Sequence, residues 1–555
     1  MTDGEAGGGG SARWAAALAV PIIGGALLGM SVVTFLAQPI WGDQPIFLYV
    51  ADRLLQGASL DIREFADPNP PLITWISMIP VMLGRLLGTS PQVAMELCVA
   101  ALLAAVIVWC GRLMRRADAG GSGNFVWGLA GIILYAAAVW PWRYYAQREH
   151  LLILMILPYL TMAAIRLEGH APPRWEAVAA GLLAAVGFSL KPFNLAIAAA
   201  VEALLLCRTF RPRALVRPEI VSLALGGLAY GGALLLWSPD YLFKIAPMVR
   251  ATWFEYGRSP LREMIDVTRL AKLLALIVVY LMLRRRLRHE PLTTVLVVGG
   301  LAGTASYLIQ LKNLEYHFLP GMALFNMAMG VIALDLFLGW AENGERRRRP
   351  RIALAAALAT ALIAAIVYYP LQSARAAANW INDRVTTQLA ITAALPKETT
   401  LYILSPSTGV IFDMLVRKGL VWGSRFADLW MLPSLLQSEA SHAAPEPGSP
   451  VAAWTRAAVA EDLRKRHPSI VLVERCHDRS IPPCTTMETL RVDVLAWFQR
   501  DPAFVRAWSS YSLDGAVGPY DLWCAPDGAD ACRRAATALS QDERAASAEP
   551  VPAEP

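Results

Sequence analysis

Five short stretches of this chain hold the side chains that could do chemistry. Asp43 stands shortly after an apolar run from Trp14 to Ala37, and Asp61, Glu64 and Asp67 follow it ahead of the run NPPL. RYYAQREH (143–150) supplies Arg148 and Glu149, and SLKPFN (189–194) supplies Lys191. A long aromatic and charged stretch covers 238–264, and LKNLEYHF (311–318) carries Lys312 and His317. Lys191 and Lys312 stand out because the chain's basic residues are mostly arginine. Carboxylates, fixed cations and aromatics brought together at one membrane surface are what a catalyst handling an anionic, lipid-linked substrate needs. Each residue also has a plainer reading. Asp43 could cap a helix or mark an interface, Arg148 and Glu149 could be a surface pair worth little, Lys191 could snorkel towards headgroups, and His317 could be a satisfied core imidazole. What favours chemistry is that all five stretches fall on one side when the chain is threaded through a membrane.

That threading follows from composition and charge. The sequence is 56% hydrophobic and 17% charged, with a mean hydropathy of +0.42, too apolar for a soluble chain of this length. Apolar runs of helical length recur at about 15–37, 92–111, 124–142, 151–165, 175–190, 193–207, 219–237, 270–283, 291–311, 319–339 and 352–370. They predict about eleven spans, each needing roughly 20 apolar residues. The Arg-rich clusters RLMRR (112–116), RTFRPR (208–213), RRRLR (284–288) and ERRRRPR (345–351) all lie in short loops on one side if the N-terminus is cytoplasmic. The five chemical stretches then face outward, and so does the C-terminus. Residues 70–88, with Pro80, Gly84 and Arg85, read as an interfacial or re-entrant helix, because a further full span would put RLMRR on the wrong side. The net charge of +6 sits in these anchoring loops and points to no nucleic-acid partner.

Domain boundaries follow. Residues 1–14 read as a disordered cytoplasmic tail, 15–370 as the membrane domain with a long outer loop at 38–91, 371–540 as an outer α/β domain and 541–555 as a second disordered tail. The α/β reading rests on the β-type runs TLYILS (400–405) and SIVLVE (469–474), set between helical patterns such as 491–508. The same region holds Cys476, Cys484, Cys524 and Cys532 as two pairs of equal spacing. Four cysteines allow three pairings. Local closure favours Cys476 with Cys484 and Cys524 with Cys532 over a four-thiolate zinc site, whose usual short ligand spacing is missing. Disulfides need an oxidising compartment, so the domain is expected in the bacterial periplasm and the membrane domain in the inner membrane. The first span lacks a strongly basic flank and a small-residue cleavage site, and is expected to stay as an anchor.

Taken in order along residues 15–340, several short motifs resemble the GT-C glycosyltransferases, among them the protein O-mannosyltransferases and the lipid A aminoarabinose transferases. They are an Asp just past the first span, YVADRLLQG (49–57), DPNPPL (67–72) entering a half-buried helix, an Arg with an acidic neighbour in the second outer loop, and YHFLP (316–320) opening a late helix. The resemblance implies a polytopic GT-C-like helical fold with a C-terminal periplasmic domain. It implies transfer of a sugar, hexose or pentose, from a polyprenyl-phosphate donor to a lipid, glycan or protein acceptor on the outer face. Asp43 would be the general base, Arg148, Lys191, Lys312 and His317 would meet the donor phosphate, and Glu149 and Asp67 would bind the acceptor or orient the cations. PPLITWISMIPVML would border a groove for the isoprenoid tail. Many members carry two adjacent acids in the first outer loop, whereas here Gln44 follows Asp43. That weakens the case for a divalent metal without removing it, and no cofactor is certain from the sequence.

Other classes stay open. A transporter or flippase of lipid-linked sugars would show similar polar residues together with internal repeats and broken helices near the midplane, and neither is clear in the sequence. A glycan polymerase or ligase is a variant of the same chemistry. A scaffold with a periplasmic binding domain would explain the disulfides but not the clustering of acids and bases.

Overall fold

A computed structural model describes residues 42–117, 123–141, 144–210, 216–253, 261–264, 267–342, 383–441, 449–481 and 491–548. Among the described residues six helices are long and apolar enough to cross a membrane: Pro91–Ala117, Arg148–Leu167, Pro192–Thr209, Pro218–Trp237, Glu290–Ile309 and Glu315–Gly339. Each matches an expected span. The runs at 124–142, 175–190 and 270–283 form shorter helices, Gly123–Leu134 with a π-helical extension Tyr135–Val139, Arg174–Leu190 and Val267–Leu283. The runs at 15–37 and 352–370 lie outside the described residues. The segment at 70–88 is a helix, Leu72–Leu87, with Pro80 inside it.

Two helices begin earlier than apolarity predicts. The Arg148–Leu167 helix starts inside the expected loop 143–150, and the Glu315–Glu342 helix starts inside the expected loop 311–318. An apolar count stops at the first charge, whereas a helix stops where its backbone hydrogen bonds stop, and its first turn has free N–H groups that tolerate polar surroundings. Arg148, Glu149 and His317 are therefore first-turn residues, held by helix geometry and not by loops.

The chain divides into two compact units, one of 1–38, 96–232 and 259–376, the other of 39–95, 233–258 and 377–555. In the first unit the Arg148–Leu167 helix is buried from Arg148 to Ile165, as a helix apolar on all its faces must be. The Pro218–Trp237 helix instead exposes, in its part of this unit, Leu225 and Leu228, side chains that suit a lipid surround. The Glu290–Ile309 and Glu315–Glu342 helices pack through glycine. A Cβ added at Gly303 would lie 2.9 Å from the backbone nitrogen of Gly321, and one added at Gly321 would lie 2.9 Å from the backbone nitrogen of Thr304. Small residues let the two backbones approach, and the turn that joins this pair carries Lys312.

In the second unit a five-stranded sheet has the order β2-β1-β3-β5-β4. Its strands are β1 (Thr400–Leu404), β2 (Val421–Trp422), β3 (Ile470–Glu474), β4 (Ser512–Val517) and β5 (Tyr520–Cys524). β1 pairs with β2 and β3 in parallel, while β5 pairs with β3 and β4 antiparallel. The central runs LYIL and IVLV are buried throughout, as parallel strands covered on both faces require. Residues 39–95, which take in most of the loop expected at 38–91, belong to this unit. Its helix Gln44–Leu55 sends Tyr49 into the core beside the sheet, where the hydroxyl accepts from the Trp422 N–H at 2.8 Å and the ring meets Phe412 edge-on at 5.5 Å. Arg85 of the Leu72–Leu87 helix pairs with Asp52 at 2.7 Å. At the other end, the helix Ala529–Ala548 runs into the stretch 541–555 that the sequence analysis reads as a tail.

Candidate functional site

In the first unit, three separate segments bring polar side chains to one place. Arg148 and Glu149 follow a left-handed turn at Ala146, whose φ is 60° and whose N–H donates to His150 Nδ1 at 3.1 Å. Lys191 ends the Arg174–Leu190 helix immediately before Pro192, which has no N–H to continue it. Lys312 comes straight after Leu311, a second non-glycine residue with positive φ, 50°. Such a conformation costs on the order of 1–2 kcal/mol, so the fold holds both turns against a local preference.

The geometry is tight. Lys191 Nζ lies 2.7 Å from Glu149 Oε1 and 3.4 Å from His317 Nε2, and His317 Nε2 is 3.9 Å from the same Glu149 oxygen. The charges of Lys191, Arg148 and Lys312 all act on the His317 ring. Lys191 also stands over Tyr316, 5.5 Å from the ring centre, a cation–π arrangement. Tyr144 donates to Glu315 Oε2 at 2.7 Å, and its ring lies 6.1 Å from that of Tyr316, so aromatic side chains tie the turn before Arg148 to the start of the later helix. Arg148, Glu149, Lys312 and His317 are each at most 6% exposed. Fixed cations around a shielded centre favour an anionic group such as a phosphate. The five residues singled out in sequence for this region, Arg148, Glu149, Lys191, Lys312 and His317, thus come together, and Tyr144 and Tyr316 join them unannounced.

The second unit holds the carboxylates. Asp43 immediately precedes the Gln44–Leu55 helix. Asp67 is 8% exposed, and its Oδ1 accepts from the backbone N–H and the side-chain Nδ2 of Asn69, both at 2.8 Å. A third acid comes from the C-terminal domain. Ala66 N–H donates to Arg425 O at 2.9 Å, Trp430 Nε1 donates to Ala66 O at 3.3 Å, and Leu429 N–H donates to Ser405 O at 3.1 Å. These bonds lay the 425–430 segment along Ala66 and bring Asp428 to the two earlier acids. Burial first, then the charges of Asp43 and Asp67, push the Asp428 carboxyl up to about 8, against opposing backbone hydrogen bonds from Trp430 and its own N–H. The sequence gives one faint signal for Asp428, an acid inside the otherwise apolar FADLWML. Asp61 and Glu64 instead fold their own loop, Asp61 Oδ1 accepting from the N–H groups of Arg63 and Glu64 and Glu64 Oε2 from Ser59.

Cys524 and Cys532 are bonded to each other. Cys476 is disulfide-bonded too, and its expected partner Cys484 lies outside the described residues. Among the described residues no group of three or more His, Cys, Asp or Glu side chains has the arrangement of metal ligands.

No family model matches the sequence, and no curated protein matches it. Solved structures do. ArnT from Cupriavidus metallidurans bound to undecaprenyl phosphate superposes with a TM-score of 0.50 over 90% of this chain and 97% of its own, at 12% identity. Its apo state gives the same TM-score at 13% identity. The oligosaccharyltransferase AglB from Archaeoglobus fulgidus, in complex with an inhibitory peptide and a dolichol-phosphate, covers 91% of this chain and 74% of its own at 13% identity, with a TM-score of 0.46. A bundle of apolar helices followed by a small mixed sheet, matching ArnT over nearly the whole of both chains, gives this protein the GT-C fold.

Proposed function

We propose that this chain is a membrane glycosyltransferase that moves a sugar from a polyprenyl-phosphate donor to an acceptor on the periplasmic face of the bacterial inner membrane. The observation that carries the reading is the meeting of Arg148, Glu149, Lys191 and Lys312 around His317, from three segments far apart in sequence. The fold adds to it, since ArnT, which shares that fold, binds undecaprenyl phosphate.

In the reaction, the acceptor oxygen attacks the anomeric carbon with inversion, its proton passes to Asp43, and the bond from that carbon to the phosphate oxygen breaks. The departing lipid phosphate gains negative charge, and cations already fixed in place stabilise it without having to reorganise. Arg148, Lys191 and Lys312 serve that purpose. Glu149 holds Lys191 by its 2.7 Å ion pair, and Asp67 orients the acceptor. The outer-facing arrangement rests on the Arg-rich loops at 112–116, 208–213, 284–288 and 345–351 and on the disulfide between Cys524 and Cys532.

The decisive experiment is mass spectrometry of polyprenyl-phosphate sugars and surface glycans in cells with the protein, without it, and with Asp43→Asn in its place. A sugar that accumulates on the carrier and disappears from an acceptor in the last two strains supports the reading. Unchanged glycans in cells lacking the protein would rule it out.

A further inference from the structure

Gln44 opens the helix that follows Asp43, and it is 1% exposed. Neither its side-chain nitrogen nor its side-chain oxygen has a hydrogen-bond partner. A buried amide in that state carries a desolvation cost that a bound group would relieve. The amide also says which group. Its NH2 needs an acceptor and its carbonyl oxygen needs a donor. A phosphate dianion only accepts and an ammonium only donates, whereas a hydroxyl does both.

The third acid asks for the same chemistry. The bonds from Ala66 to Arg425 and from Trp430 to Ala66 lay the segment of Asp428 along the residue before Asp67, and the charges of Asp43 and Asp67 reach its carboxyl. Burial and the neighbouring acids push its carboxyl up to about 8, which favours the protonated form, a group that both donates and accepts. Asp43 and Asp67 nearby repel an anion. We propose that Gln44 and Asp428, with Asp43 and Asp67, form the binding pocket for an uncharged, hydroxyl-bearing acceptor, and that this pocket excludes a phosphate acceptor. The proposal rests on the reading of Asp43 as general base and adds to it the class of acceptor and two residues that bind it.

The test uses the full chain in lipid nanodiscs and dicyclohexylcarbodiimide, which modifies protonated carboxyls in apolar surroundings, with peptide mass mapping to locate the label. Asp428 should be labelled at neutral pH. An excess of n-octyl β-D-glucoside, a hydroxyl probe, should slow that labelling by about fivefold or more, the worth of roughly one hydrogen bond. Dodecyl phosphate should leave it unchanged. Gln44→Leu should label at the wild-type rate, which reports an intact fold, and should lose the protection by the glucoside. The proposal is overturned by an unlabelled Asp428, by equal protection from dodecyl phosphate, by protection that survives in Gln44→Leu, or by no protection at all, which would mean that a bound water only fills the space. The two readings fail separately. Normal glycans in the Asp43→Asn strain would remove the base, while a failed labelling pattern beside an inactive Asp43→Asn removes only this pocket.

Discussion

The cation cluster of the first unit and the carboxylate cluster of the second are built in opposite ways. Arg148 and Lys191 stand at helix ends beside the His317 ring, and their backbone positions are fixed by the turns there. Asp67 and Asp428 stand on irregular segments, and what fixes them is hydrogen bonding between two distant stretches of chain. In the first case local structure places the charge; in the second, tertiary contact does. A site of the first kind should tolerate changes in its surroundings and respond mainly to changes of the charged groups. A site of the second kind should also respond to changes that touch no functional residue.

The largest effect is expected at Asp43. Asp43→Asn keeps the shape but takes no proton, and turnover should fall by on the order of a hundredfold or more while donor affinity holds. Near-normal turnover would leave Asp43 as an interfacial residue and leave the second unit without its chemical role. Next come the lysines. Lys191→Ala and Lys312→Ala should each weaken affinity for a polyprenyl-phosphate sugar in nanodiscs by roughly ten- to a hundredfold, the worth of a charged hydrogen bond. Lys191→Arg should recover only part of it, since a guanidinium fork does not occupy the place of a point ammonium. Unchanged affinity in both alanine variants would remove these lysines from the site.

A smaller and more diagnostic effect concerns pH. Burial and the charges of Asp43 and Asp67 push the Asp428 carboxyl up to about 8 in the folded protein, from near 4 in an unfolded chain. Between those values the folded state binds the extra proton, so its stability declines as pH rises from about 4 to about 8 and is level outside that window. Urea unfolding of the protein, followed through Trp fluorescence, should show this slope, and Asp428→Asn should flatten it. A slope unchanged by the substitution would mean that neither burial nor the acidic neighbours raise the Asp428 carboxyl. Smallest is Tyr49→Phe, which removes the partner of the Trp422 N–H and should cost about 1–3 kcal/mol in stability. It should also reduce turnover, although Tyr49 is no part of the chemistry, and a variant as active as wild type would break the contrast between the two clusters.

What the sequence made legible follows the same division. Six of the expected spans, the runs that became β1 and β3, and the polar residues that meet around His317 announce themselves through local pattern: apolar length, β-type composition, or a charge beside a helix end. The errors at Arg148 and Glu315 are errors of boundary, because hydropathy sees the charge and not the hydrogen bonding that carries the helix through it. Asp428 could not be found that way. Its neighbours in space are Asp43 and Asp67, its neighbours in sequence are apolar, and no periodicity links the two stretches. The same holds for Gln44, whose significance lies in lacking partners, a property that appears only once its surroundings are folded.

The bond from Trp430 to Ala66 joins residues 364 positions apart, and this has a consequence for how the protein is made. At ordinary rates of synthesis, roughly 20–70 s pass between the emergence of the first residue and that of the second. During that interval the first loop has no sheet to lie against, and Tyr49, Phe65 and Ala66, which end in the core of the finished unit, remain uncovered. The carboxylate cluster is consequently assembled last, after most of the membrane helices have been synthesised. A ribosome that stalls before Arg425 yields a chain that holds Arg148, Lys191 and Lys312 but lacks the segment that brings Asp428 to the earlier acids, so an interrupted product carries one cluster and not the other.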